Sequence, residues 1–306
     1  MNDQPPPGET YGPKWYQKRA FQSLAQIDEG VWDYSDSLLL YVADAQDQYE
    51  TIQKTDNPYS SIVTKPERDF LESVATAVAD RLPNEFAYID LGPGTEHKES
   101  FIFEALKKQN KHFTYAPVDI NKDFLESAAS YALGQGIQVH PLLLPFEELP
   151  EKLHDWQGPR FVSLGLTYSN YDPNSILTLL KVISGDKGQV FVDTQIRDRV
   201  DMKEVAAIYS RDVYAIAEPK LKLLGLNPQT DIADHICDDG VRVWSILRNS
   251  TPELEQRGIF KGAKLLVFQS LRPTLESFQR DIASVFPSFS LLDTGGPFVG
   301  AILESS

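Results

Sequence analysis

The residues best suited to chemistry lie in "YIDLGPGTEHKES", residues 88–100, where an apolar run ends near Asp90 and turns through Gly92 and Gly94 into a charged helix start. Glycine at both positions lets the backbone approach a bulky ligand with no Cβ in the way. A phosphate, a dinucleotide and a methyl donor are all candidates, and a turn that merely needs to be tight is the plainer alternative. The GxxxxGK[ST] phosphate loop is absent, and the third glycine of a dinucleotide fingerprint is replaced by His97. What remains is Asp90-Leu-Gly92-Pro-Gly94-Thr95 followed by a helix. Ligands of open α/β sheets sit at the carboxyl ends of strands, where this turn belongs.

Two further stretches narrow the ligand. "APVDIN" ends a second apolar run in Asp119, where a carboxylate can accept both hydroxyls of an adenosyl ribose. "PFEEL" places Phe146 at the end of a third run as an apolar wall for an adenine. Together with the turn, these favour S-adenosyl-L-methionine over a phosphate ligand. The plainer alternative is that Asp119 caps the next helix and Phe146 is core.

The elements that position these residues follow from periodicity. Strands are predicted at 86–91, 113–119, 137–143, 160–166 and 188–194, separated by helical patterns. Alternation of this kind means a mostly parallel sheet covered on both faces. Further strands are predicted at 263–268 and 298–303, flanking a helix near 274–285, so that an antiparallel pair completes a class I methyltransferase sheet. "TKPERDFLESVATAVADRL" predicts a helix with a capping box, Thr64 as N-cap and Glu67 three residues on. Residues 1–14 predict a loose Pro-rich tail and 15–62 a helical segment interrupted near Gly30. Residues 199–260 predict an inserted domain, helical to Gly225, then an acidic "DIADHICDDG" loop and the strand "VRVWSIL". The methyltransferase domain is thus expected over 63–198 and 261–306, and a substrate domain over 15–62 and 199–260.

Composition removes other classes. With 44 acidic against 29 basic residues and a net charge of −15, nucleic acid and anionic membranes are poor partners. Cys237 is the only cysteine, which excludes an intrachain disulfide and CxxC spacing. The histidines at 97, 112, 140, 154 and 235 lack metal-ligand spacing and nucleophile context, so neither a metal nor a catalytic triad is expected. No apolar run approaches membrane-spanning length and no leader is seen, which predicts a cytoplasmic protein.

"IVTKPERDFL", "DLGPGTEHKES", "APVDINKDFLESA" and "SLGLTYSNYDPNSILTLLKVISGDKGQVFVDTQIRD" resemble the histidine-specific methyltransferase family. The resemblance implies an S-adenosyl-L-methionine-dependent enzyme. In it Gly92 meets the cofactor, Lys98 pairs with its carboxylate and Asp119 holds its ribose. Pro145 and Phe146 flank the adenine, without the acid common at the first of these positions; Gly165 lies on the same side. Asn170 and Tyr209 match the residues that hold the substrate's polar end, and they are the catalytic candidates. Asn170 as a turn residue and Tyr209 as a core tyrosine are the plainer alternatives.

The substrate side departs from the family. Ser61 and Ile62 stand where a substrate-contacting tyrosine is expected, with Tyr59 as a nearby substitute. The Thr-Glu-x-Ser motif that grips imidazole becomes Val267-Phe268-Gln269-Ser270. Facing an imidazole N–H with phenylalanine leaves a polar group unpaired, at a cost of about 1–3 kcal/mol. The expected acceptor is therefore the amino group of an amino acid or amine other than histidine, with an indole, phenol or alkyl side chain against Phe268. The alternatives are a binding protein that keeps the cofactor fold without turnover, and an O-methyltransferase of a small metabolite.

Overall fold

A computed structural model describes residues 11–41, 51–52, 57–153, 156–238 and 240–305. The chain divides into two compact units, one of Met1–Lys54 with Met202–Leu271, the other of Thr55–Asp201 with Arg272–Ser306. The expected tail over 1–10, the helical expectation for 42–50 and 53–56, and His154 lie outside the described residues.

The unit of Thr55–Asp201 and Arg272–Ser306 carries an eight-stranded sheet. From one edge its path is Ser288–Asp293, Phe298–Glu304, Gln189–Gln195, Arg160–Leu164, Glu85–Leu91, His112–Asp119 and Gln138–Val139. Leu142–Leu143 also pairs with His112–Asp119. The five predicted strands are all present and mutually parallel. The third is split at His140-Pro141 into two short pieces, because proline has no N–H to give a ladder. Helices Lys65–Arg81 and Ser100–Lys108 pack together, as do Pro173–Ser184 and Leu275–Val285, and the sheet is covered on both faces. This is the Rossmann-like α/β arrangement of class I methyltransferases.

The antiparallel pair is Ser288–Asp293 with Phe298–Glu304, not the predicted 263–268 with 298–303. The hairpin turns at Asp293-Thr-Gly-Gly, with Gly295 at φ +81°, a turn in which φ > 0 favours glycine. The strand Lys264–Gln269 instead joins the other unit, antiparallel to Arg242–Leu247 and parallel to Val31–Asp33. Thr64 is also not an N-cap. It is helical, at φ −62° and ψ −50°, because a π-turn over Ser60–Thr64 runs straight into Lys65–Arg81.

The unit of Met1–Lys54 and Met202–Leu271 holds a five-stranded sheet. Two of its strands, Ala25–Asp28 and Val31–Asp33, form a hairpin where a helix was predicted. Gly30, at φ +67°, closes its turn. Part of the predicted acidic loop is the edge strand Ile232–Cys237; its acidic Asp234 is exposed, as suits an edge.

Candidate active site

Asp90 anchors the site from beneath. Ser163 donates to its Oδ1 at 2.6 Å and Tyr115 to its Oδ2 at 2.8 Å, so one carboxylate ties together the three central strands. Burial, and then the neighbouring Glu99, raise its pKa to about 7 against the pull of those hydroxyls. Beyond it the chain turns sharply, with φ +67° at Gly92 and +66° at Gly94. A Cβ at Gly92 would meet the Phe146 ring and Thr167 Oγ1, each at 3.5 Å. Thr95 is half-buried on the same turn. His97, also left-handed at φ 49°, stacks on Tyr131 with centroids 4.2 Å apart.

Asp119 ends its strand 5% exposed and accepts the Asn121 N–H at 2.7 Å. It does not cap the following helix. That role belongs to Asn121, whose side chain accepts from the N–H groups of Asp123 and Phe124. Burial lifts the Asp119 pKa to about 7, while N–H groups of Asn121 and Ile120 pull it down. Pro145, extended at φ −69° and ψ 151°, delivers the buried Phe146 into a short 3₁₀ turn.

Lys98 is engaged within the protein. Its Nζ lies 2.8 Å from Glu67 Oε2 and 3.0 Å from Glu96 Oε2. Glu67, expected as a capping residue, is 2% exposed, and burial pushes its carboxyl up against the pull of Lys98. A Cβ at Gly165 would stand 3.3 Å from Glu67 Oε1 and 3.7 Å from Asp193 Oδ2. Glu67, Asp193 and Thr167 are absent from the sequence-derived site. An acid near the carboxyl end of the fifth strand, in "VFVDT", was the available signal for Asp193.

On the substrate side, Asn170 closes the 3₁₀ turn Leu166–Asn170 and Tyr59 is buried at the start of the π-turn. Both belong to the unit of the large sheet. Tyr209, Phe268 and Ser270 come together in the other unit. The buried Tyr209 hydroxyl donates to Ser270 Oγ at 3.2 Å. Its ring stacks on Phe268, centroids 5.8 Å apart and planes 10° apart. Val267 is fully buried whereas Phe268 is only half-buried, so the strand turns Phe268 away from the core. Among the described residues, no group of three or more His, Cys, Asp or Glu is arranged to hold a metal ion, and no helix is long and apolar enough to cross a membrane.

Residues 24–194 match the histidine-specific, S-adenosyl-L-methionine-dependent methyltransferases. The chain belongs to this family, whose cofactor is S-adenosyl-L-methionine. It is 28% identical over 153 residues to the N-methyltransferase dtpB of Aspergillus flavus, a match covering 48% of this chain and 39% of that protein. The chain therefore spans well under half the length of this relative. Looser likenesses exist among solved structures. A Pyrococcus horikoshii OT3 protein matches at TM-score 0.45 and 13% identity, over 78% of this chain and 91% of that one. An O-methyltransferase family protein of Burkholderia thailandensis matches at 0.49 and 10%, over 89% and 63%. The residues present fit the cofactor. Gly92, at a positive φ that favours glycine, offers bare backbone beside the Phe146 ring, and Asp119 offers a buried carboxylate at the neighbouring strand tip.

Proposed function

We propose that this chain is an S-adenosyl-L-methionine-dependent methyltransferase of a small molecule, acting on the amino group of an aromatic amino acid or derived amine other than histidine. The observation that carries the acceptor class is Phe268. It stands where histidine enzymes use glutamate, half-exposed and stacked on Tyr209, with Ser270 held by the Tyr209 hydroxyl. A flat apolar ring gains a stacking partner there, whereas an imidazole leaves an N–H unpaired. The N-methyltransferase name of the Aspergillus relative supports nitrogen as the acceptor atom.

When bound, the cofactor supplies a methyl group on a positively charged sulfur. The protein's part is positional, because alignment at about 3–3.5 Å is worth up to roughly 7–11 kcal/mol of the barrier. Gly92 and Gly94 bring backbone against the ligand, Thr95 lies on the same turn, Asp119 accepts the ribose hydroxyls, and Pro145 and Phe146 wall the adenine. Lys98 meets the carboxylate of the amino-acid end, and Gly165 leaves room beside it. Asn170 holds the acceptor's polar end, with Tyr59 a further contact. Tyr209, whose hydroxyl donates to Ser270, offers its oxygen as a hydrogen-bond acceptor to the amino group of the methyl acceptor.

A screen of amino acids and indole amines with labelled donor, read by mass spectrometry, tests this. Transfer to an aromatic amine above transfer to histidine is expected. Equal use of histidine would overturn the acceptor class. Tight binding of the donor with no transfer to any acceptor would instead favour a protein that keeps the fold without turnover.

A further inference from the structure

The cluster around Gly165 gathers three shielded carboxyl groups around a single ammonium. Glu67, Glu96 and Asp193 are all shielded from solvent, and Lys98 is the ammonium that reaches them. Lys98 satisfies Glu67 Oε2. Glu67 Oε1 and both oxygens of Asp193 have no hydrogen-bond partner among the described residues, although Asp193 is 1% exposed. Buried acceptors are normally paired, so two orphaned oxygens from different carboxyls, Glu67 Oε1 and Asp193 Oδ2, flanking one point mark a place for a donor. That point lies beside Gly165, where absence of a side chain keeps the space between Glu67 Oε1 and Asp193 Oδ2 open. The two carboxylates come from different elements, the helix Lys65–Arg81 and the strand Gln189–Gln195, so their convergence is not a local turn effect.

We propose that Glu67 and Asp193 form a subsite for a primary ammonium group, supplied by the amino-acid end of the cofactor or by the acceptor amine. An ammonium carries three donors and one positive charge, so it can take the place of a proton held on these carboxyls and pair their oxygens. Asp193 fits this assignment electrostatically: burial and then Glu67 hold its carboxyl well above the usual carboxylate range. An arriving ammonium favours the ionised form, so binding is accompanied by proton release. The inference rests on the methyltransferase reading of the site.

Calorimetry separates the two sources and the two levels of the claim. The probes are S-adenosyl-L-homocysteine against its deaminated analogue, and tryptamine against 3-ethylindole in the presence of S-adenosyl-L-homocysteine. The variants are Asp193→Asn and Gly165→Ala, the second filling the convergence point. Each variant is expected to weaken one ammonium-bearing probe about tenfold more than it weakens the ammonium-free counterpart. Buffer-dependent binding heat in the wild type, lost in Asp193→Asn, is the accompanying signature. Asp193→Asn should melt at or above the wild-type temperature, since an amide replaces a carboxyl that burial already disfavours as an anion. Loss confined to the homocysteine pair assigns the cofactor's ammonium, and loss confined to the indole pair assigns the acceptor's. Wild-type binding that both variants reproduce for all four probes overturns the subsite alone. Failure of the wild type to bind S-adenosyl-L-homocysteine overturns the cofactor site and the subsite with it.

Discussion

Phe268 lies nearly parallel to the ring of Tyr209, centroids 5.8 Å apart, and the Tyr209 hydroxyl is fixed by Ser270. One face of a half-buried aromatic is thus held rigid while part of the ring stays accessible. An aromatic pair adds about 0.5–1.5 kcal/mol beyond area burial, so Phe268→Ala should raise KM for an aromatic amine about tenfold. Its effect on S-adenosyl-L-homocysteine affinity, measured by calorimetry, should be small. Equal loss of both would count against Phe268 as an acceptor contact.

Lys98→Met leaves Glu67 and Glu96 without the cation that reaches them. Removing one partner of a buried ion pair costs about 3–5 kcal/mol. The variant should unfold at a lower urea midpoint at pH 8, and weaken S-adenosyl-L-homocysteine binding at least tenfold. Part of the stability should return below pH 5, where Glu67 protonates without penalty. A variant as stable as the wild type at pH 8 would show that the pair contributes nothing.

Asp119 should make cofactor binding pH-dependent. Its folded pKa of about 7 lies above the usual 3.8, so the folded state holds the extra proton between those values. Unliganded stability therefore falls as pH rises from 4 to 7. Ribose hydroxyls require the ionised form as acceptor, so affinity moves the other way. S-adenosyl-L-homocysteine should bind about tenfold more weakly at pH 6 than at pH 8, and Asp119→Asn should bind weakly at both. Asp90 has a similar pKa, but both of its oxygens are taken by Ser163 and Tyr115. A wild-type affinity flat across that range, or an Asp119→Ala variant with unchanged affinity, would remove the ribose assignment.

The sequence showed the parallel sheet because each of its strands is a short apolar run bounded by helices, and it showed Gly92 and Asp119 because they end two of those runs. It did not show which sheet a lone strand joins. Lys264–Gln269 has the composition of either sheet, and its partners at Arg242–Leu247 and Val31–Asp33 are distant in sequence. The hairpin closed by Gly30 was hidden by helix-like apolar spacing on either side. Glu67 fitted a capping pattern locally, and only the fold brings it to Lys98. Asp193 carried a faint signal, one acid near the end of an apolar strand, and its meaning depends on Gly165 next door.

Lys220 offers a test of the other unit that is independent of ligand. Its side chain is fully buried, with Nζ donating to the carbonyls of Asp36 and Val267, each at 3.0 Å, over the ring of Tyr34. Burial lowers its pKa to about 7, with Asp36 pulling it back up. Between about pH 7 and 10.5 the unfolded chain therefore binds the proton that the folded chain has released. Stability contributed by this group rises with pH through that window and is level below it. The Asp90 and Asp119 windows lie lower, from about 4 to 7, and Tyr34 titrates above 10. Because burial also raises Asp193 and Glu67, the difference between wild type and Lys220→Met in urea midpoints at pH 7 and 9.5 is what isolates Lys220. The wild type should gain stability between those two values. Lys220→Met should lose most of that gain, because it removes the titrating amine while keeping an unbranched apolar stem. A pH dependence from 7 to 9.5 that Lys220→Met shares with the wild type would mean that the carbonyls and the Tyr34 face hold the ammonium charged in the folded state.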